Sequence, residues 1–189
     1  MNIYRVRVTL RQTQPPIWRR IELSGQTTLD EFHRILQLAM GWYNCHLHMF
    51  EVDGEQYGAS DPDYDDFGEV IPEEDVRLAE VLPAPGAKLL YTYDFGDDWR
   101  HQVRLEAVFP PEPGMHYPRI SAGKRKCPPE DCGGAGNYDY MLVILQDPAH
   151  EQFQNVRDQL GPHFNAQEFS VDAANQRLQG RDSFDFLKY

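Results

Sequence analysis

Cysteine is scarce in this chain. Cys45, Cys127 and Cys132 are an odd set of three, which argues against a disulfide framework and leaves free thiols or a metal site as the readings. Long apolar runs are missing too. The best candidate, residues 138–145, is short and broken by Asp139, far from the roughly 18 apolar residues of a membrane span. The first residues show no basic-then-apolar export pattern, so the expectation is a cytoplasmic protein without membrane association. Positive charge is in deficit: 18 Lys and Arg stand against 30 Asp and Glu, a formal charge of −12. Affinity for a duplex comes largely from Lys and Arg neutralising phosphates, so the balance disfavours nucleic acid as a partner. The one basic run, Lys124-Arg125-Lys126, is three residues long. Internal repeats and low-complexity tracts are absent.

What remains is a chain with 41% hydrophobic residues, among them ten Tyr, ten Phe and three Trp, enough apolar surface to fold. Its length fits a single α+β domain over 1–189, strand-rich over 1–109, joined by a Pro/Gly-rich connection over 110–136 to a helical part over 137–180. Residues 3–10 and 17–23 alternate apolar and polar as half-buried strands, with Pro15-Pro16 marking their connection. Thr28 and Glu31 form a capping-box pattern before Leu29, Phe32, Ile35, Leu36, Ala39 and Met40 at helical spacing, and Gly41 ends the run. His48, Phe50 and Val52 alternate up to the hairpin dipeptide Asp53-Gly54, with a short return strand after it. The acid-rich residues 61–75 suggest an exposed loop, and two further strands, 88–93 and 100–109, flank Asp94–Trp99. Residues 138–146 are apolar nearly all round, as in a helix buried on most sides. Asp147-Pro148 suggests the start of a helix ending near Gly161, and Ser170 the cap of a last short one. Strands first and helices last, with one helix after the first hairpin, favour an antiparallel or mixed sheet.

Several constellations invite a chemical reading. Asp61-x-Asp63-x-Asp65 opens like a calcium loop, but Asp66 and Pro72 stand where the turn Gly and the bidentate Glu belong, so a solvated acidic loop is the better account. Asp94-Phe95-Gly96 matches the kinase magnesium tripeptide without the lysine, glycine loop or catalytic loop that a kinase needs. Cys127 and Cys132 have four residues between them on a Pro/Gly-shaped loop. They fit either part of a zinc site, completed by Cys45, His46 or His48, or two buried thiols. Gly133-Gly134-Ala135-Gly136 lacks the preceding strand and third glycine of a dinucleotide loop. No nucleophile motif is present, so no catalytic residue is assigned.

Taken in order, Pro16–Ile21, Thr28-Leu29 with Met40-Gly41-Trp42, His46–Phe50, Tyr93–Trp99, Cys127–Gly134, and Phe169 with Asn175 and Leu178 form a set that resembles the plasmid pRiA4b ORF-3-like family over nearly the full length. The resemblance implies an α+β protein of bacteria or archaea, often without an established activity and in some cases associated with insertion elements. It also implies typical polar positions at His46, His48, Asp94, Asp97, Asp98, Trp99, Glu130, Asp131 and Cys132. The expectation drawn from both lines is a binding module with a protein or small polar ligand as partner. The alternatives are a metal-dependent hydrolase or nuclease, and an accessory of mobile-element DNA transactions. The carboxylates of the two loops would repel one another in mere packing. The candidate cleft therefore brings His46, His48, Asp94, Asp97, Asp98, Trp99, Glu130 and Asp131 together around a cation or polar ligand.

Overall fold

A computed structural model describes residues 2–60 and 69–180. The first alternating segments form β1 (Ile3–Leu10) and β2 (Ile17–Ser24), paired antiparallel in full register from Ile3↔Ser24 to Leu10↔Ile17. Helix α1 (Leu29–Met40) follows, started by the Thr28/Glu31 capping box and ended by Gly41 at φ +94°, a conformation only glycine adopts without strain. Next come β3 (His48–Val52), β4 (Glu55–Gly58), β5 (Ile71–Pro72), a 3-10 turn at Glu73–Asp75 and the short α2 (Leu78–Val81). Then β6 (Lys88–Tyr93) and β7 (Trp99–Phe109) form the hairpin expected around Asp94–Trp99. β8 (Arg119–Lys124), α3 (Gly134–Ile144), α4 (Phe153–Leu160) and α5 (Val171–Gln179) complete the described chain.

The eight strands make one sheet in the order β5-β4-β3-β6-β7-β1-β2-β8. The β4–β5 pair is parallel and the remaining pairs antiparallel, so the sheet is mixed and the fold is α+β. One face is apolar: Val6, Val8, Ile21, Val103, Leu105 and Phe50 are fully buried and join Leu29, Phe32, Leu36 and Ala39 of α1 in a single core. Phe32 lies over Phe50 with ring centroids 6.0 Å apart. Fully burying such side chains is worth roughly 1.5–3 kcal/mol each.

Four expectations need correction. The 110–136 connection contains an edge strand, β8. Its Gly123 lets the Phe169 ring sit where a Cβ would come within 2.3 Å, a long-range fit that the local composition hides. Helix α3 is not buried on most sides, because Tyr140 and Val143 are 51% and 62% exposed. Asp147-Pro148 opens turns rather than a helix, and α4 starts at Phe153. Within the acidic segment, Glu73 is buried beneath a histidine instead of solvated. The calcium-loop pattern at Asp61, Asp63 and Asp65 lies outside the described residues. The basic run is also split: Arg125 is buried on Gln167, while Lys126 lies over the Phe164 ring. No helix among the described residues is long and apolar enough to cross a membrane.

Candidate functional site

The site forms where three loops meet at one end of β3, β6 and β7. Past Gly41 the chain cannot continue the helix, and Trp42 drops into the core between Tyr93 (5.1 Å) and Trp99 (5.9 Å). Its indole Nε1 donates to the Pro128 carbonyl at 2.9 Å, which pins the Cys127–Gly134 loop to the end of α1. A second pin comes from Asp97, whose Oδ2 accepts the Gly133 amide at 3.0 Å. Gly134, at φ +75°, passes so close that a Cβ there would lie 2.6 Å from the Asp97 carbonyl. Glycine is required at that crossing by both space and torsion. The third link is Glu130 Oε1, which accepts from the Tyr93 hydroxyl at 2.6 Å and from the Tyr43 amide at 3.1 Å. Tyr93 in turn accepts from the Cys45 amide at 2.9 Å.

These pins converge on His46. Its Nε2 lies 3.1 Å from Asp131 Oδ1 and 3.6 Å from Asp94 Oδ2. One ligand atom from each of the three residues falls within 4.8 Å of the others, a spacing that admits a metal ion. Nε2 itself is shut from solvent and has no hydrogen-bond partner, so the short distance to Asp131 is proximity rather than an aligned bond. A buried polar atom left unpaired in this way calls for an explanation. Asp94 is preset for the role: its Oδ1 accepts the Gly96 and Asp97 amides at 3.0 and 3.2 Å, which leaves Oδ2 turned to the imidazole. Asn44, Asp94 and Asp131 all hold positive φ, at 58°, 57° and 55°. Asn and Asp tolerate this region best among non-glycine residues, and such strain concentrates at ligand-binding positions. Partial desolvation of an otherwise exposed thiol, together with Glu130, holds Cys45 above its ordinary pKa. Burial also raises the Tyr93 phenol, so both stay protonated beside the carboxylates.

The model of the family described as "Plasmid pRiA4b ORF-3-like protein" matches residues 2–173. The chain belongs to this family. It is similar to an uncharacterised protein, y4hQ, of Sinorhizobium fredii (strain NBRC 101917 / NGR234), at 35% identity over 85% of this chain and 81% of that one. It is also similar to a protein of unknown function, MM3350, of Methanosarcina mazei Go1. The crystal structure of that protein superposes with a TM-score of 0.82 at 34% identity, over 90% of this chain and 96% of that one.

Of the polar positions suggested by the family resemblance, the structure brings His46, Asp94, Asp97, Glu130 and Asp131 into this one corner. Asp98 turns outward to pair with Arg100 at 2.8 Å. Trp99 is 1% exposed and belongs to the core. Cys127 and Cys132 are buried and free, with burial pushing both thiols up to about 12, while Cys45 is exposed. His46 precedes β3 rather than standing in it, so it and His48 point apart. His48 enters the core, where its ring stacks flat on His33 (centroids 3.5 Å, 4°) and its Nε2 meets both Glu73 oxygens at 2.9 and 3.1 Å. His33 completes the group through the Tyr91 hydroxyl (2.8 Å) and Asn44 Oδ1 (2.6 Å). Burial lowers His48 to about 3 and His33 well below 6.5, and raises Glu73 to about 8. A neutral His48 facing a protonated Glu73 is the arrangement that a dry interior favours. Sequence reasoning missed Tyr93 and Trp42 at the first site and His33 and Glu73 at the second, and it named Cys45 only as a possible partner of Cys127 and Cys132. Alternation marks Tyr93 as a strand residue facing inward, but nothing local shows that its hydroxyl reaches a loop 37 residues away.

Proposed function

We propose that the protein is a binding module whose ligand is a divalent cation held by His46, Asp94 and Asp131. The observation that carries this reading is the unpartnered, solvent-shut Nε2 of His46, flanked by two carboxylates within ligand-sharing distance. One imidazole and two carboxylates form a borderline-hard donor set that suits zinc or manganese. Glu130, tied to Tyr93 and Tyr43, and Asp97, tied to Gly133, support the loops around the three ligands. Titration calorimetry of the purified protein with Zn²⁺ and Mn²⁺ tests this reading. Saturable binding that is lost in His46→Ala and Asp94→Asn is expected. Equal binding in wild type and both variants, or no binding at millimolar metal, overturns it.

One observation favours a second reading, a metal-dependent hydrolase. The Asp131 side chain is 76% exposed, so a cation held by it would be reachable by water on that side and could act as a Lewis acid. Hydrolysis of bis(p-nitrophenyl) phosphate by the manganese-loaded protein, lost in His46→Ala, supports this reading. Metal binding with no hydrolysis leaves the binding module alone.

A further inference from the structure

The face of the sheet opposite the core carries a charge pattern that the formal charge of −12 conceals. Cross-strand pairing sets Lys88 opposite Arg104, Arg104 opposite Arg7, and Arg7 opposite Arg20. Four cations thus stand side by side on four neighbouring strands, β6-β7-β1-β2, over about 14 Å at the usual strand spacing. Like charges directly opposite destabilise a sheet, so folding alone does not favour such a row. Lys88 and Arg104 are exposed, and Arg7 and Arg20 are half-buried. Only Arg20 has a carboxylate partner among the described residues, Glu106 at 2.6 Å. Glu22 pairs with Arg5 and Arg119 in the adjacent row, and within the row of four its charge also acts on Arg20. Trp18 sits in the row on the other side, half-buried, with the Arg7 guanidinium 4.0 Å and the Arg20 guanidinium 5.7 Å from its ring. Opposite it on the edge strand is Lys124. Beside Lys88, a shallow hollow lined by Arg11, Glu51, Lys88, Leu89, Leu90 and Gln102 adjoins the row.

We infer that this sheet face binds a single-stranded nucleic acid, with the Lys88–Arg104–Arg7–Arg20 row on successive phosphates and Trp18 stacking a base. A flat row of cations with an aromatic ring beside it matches a flexible strand, whose phosphates follow the surface while its bases turn to the ring. A duplex offers no unstacked base to Trp18, and the acidic remainder of the molecule would repel its wider charged surface. This ligand is distinct from the cation of the loop site, at one end of the sheet, and does not depend on it.

Fluorescence anisotropy with labelled (dT)20 at low and physiological salt tests the inference. The expected result is saturable binding whose logarithm falls with log salt at a slope of about −3, from four contacts at about −0.7 each. Arg104→Gln and Lys88→Gln, both exposed, should each flatten the slope by about 0.7 with an unchanged melting midpoint. Trp18→Leu should weaken binding about tenfold through lost stacking. Glu106→Gln, which frees Arg20, should strengthen it. Three results overturn the inference: no anisotropy change at about 100 μM protein and low salt, a duplex of equal length bound as tightly as (dT)20, or binding to phosphatidylglycerol vesicles without binding to (dT)20.

Discussion

Two regions of this protein place imidazole against carboxylate, and they have opposite characters. At the loop corner, His46 has two carboxylates beside it, one of them largely in solvent, and an Nε2 that neither carboxylate satisfies. Under α1, His33 and His48 stack on each other and Glu73, Tyr91 and Asn44 take up their ring nitrogens. The sealed group is satisfied internally and dry. It fixes the 3-10 turn to β3 through His48 and Glu73, and α1 to the loop carrying Asn44 through His33. The open group is held by backbone pins and lacks a partner at its centre. The same residue types therefore serve cohesion in one place and ligand capture in the other, and burial with hydrogen-bond completion separates the two.

The comparison can be broken first through stability. Phe32→Ala, in the layer that packs α1 on Phe50 beside His48, should cost about 3–5 kcal/mol in urea unfolding. An unchanged midpoint would show that the sealed side does not carry the fold.

Next in size is the pH response of the sealed group. His33 and His48 have folded values below 6.5, so the stability they retain at neutral pH is lost as pH falls from about 6.5 and the unfolded chain takes up protons. Glu73 has the opposite sign. Raised to about 8, it keeps its proton in the fold, so its contribution is full below about 4.5 and is lost as pH rises through 8. The two opposing slopes flatten the wild-type curve between about 4.5 and 6.5. Glu73→Gln should remove one of them, giving a steeper acid loss and no decline toward pH 8. Denaturation midpoints measured across this range decide it, and parallel curves for both proteins would refute the assignment. His101, buried and lowered to about 4, adds an acid loss common to both.

The smallest expected effect belongs to the open corner. His46→Ala removes a half-exposed ring that makes no aligned hydrogen bond. It should change stability by no more than about 0.5 kcal/mol while abolishing the rise in melting midpoint that saturating Zn²⁺ or Mn²⁺ gives wild type. A large loss of stability in the apo protein would move His46 into the structural class with His48.

Local chemistry alone was enough to place several elements. The capping box and Gly41 bounded α1, alternation found β1, β2, β3, β6 and β7, and Asp53-Gly54 marked the β3–β4 hairpin, because each signal acts within a few residues of chain. β8 escaped because its strand character comes from pairing with β2 and from Phe169 lying over Gly123. The site was legible as a list of polar residues but not as a geometry. His46 and His48 are two positions apart, yet one points to the loops and the other into the core, since the chain enters β3 only at His48.

The sequence by itself determined the α+β class, the first helix, the hairpins and the kinds of side chain available for chemistry. The tertiary structure decided which of them meet. The run Lys124-Arg125-Lys126 looked basic and is dispersed by burial of Arg125, whereas Lys88, Arg104, Arg7 and Arg20, scattered along the chain, align into one cationic row. Charge along a chain is a local property, while charge on a surface depends on strand register, and register is set by long-range burial of the opposite face.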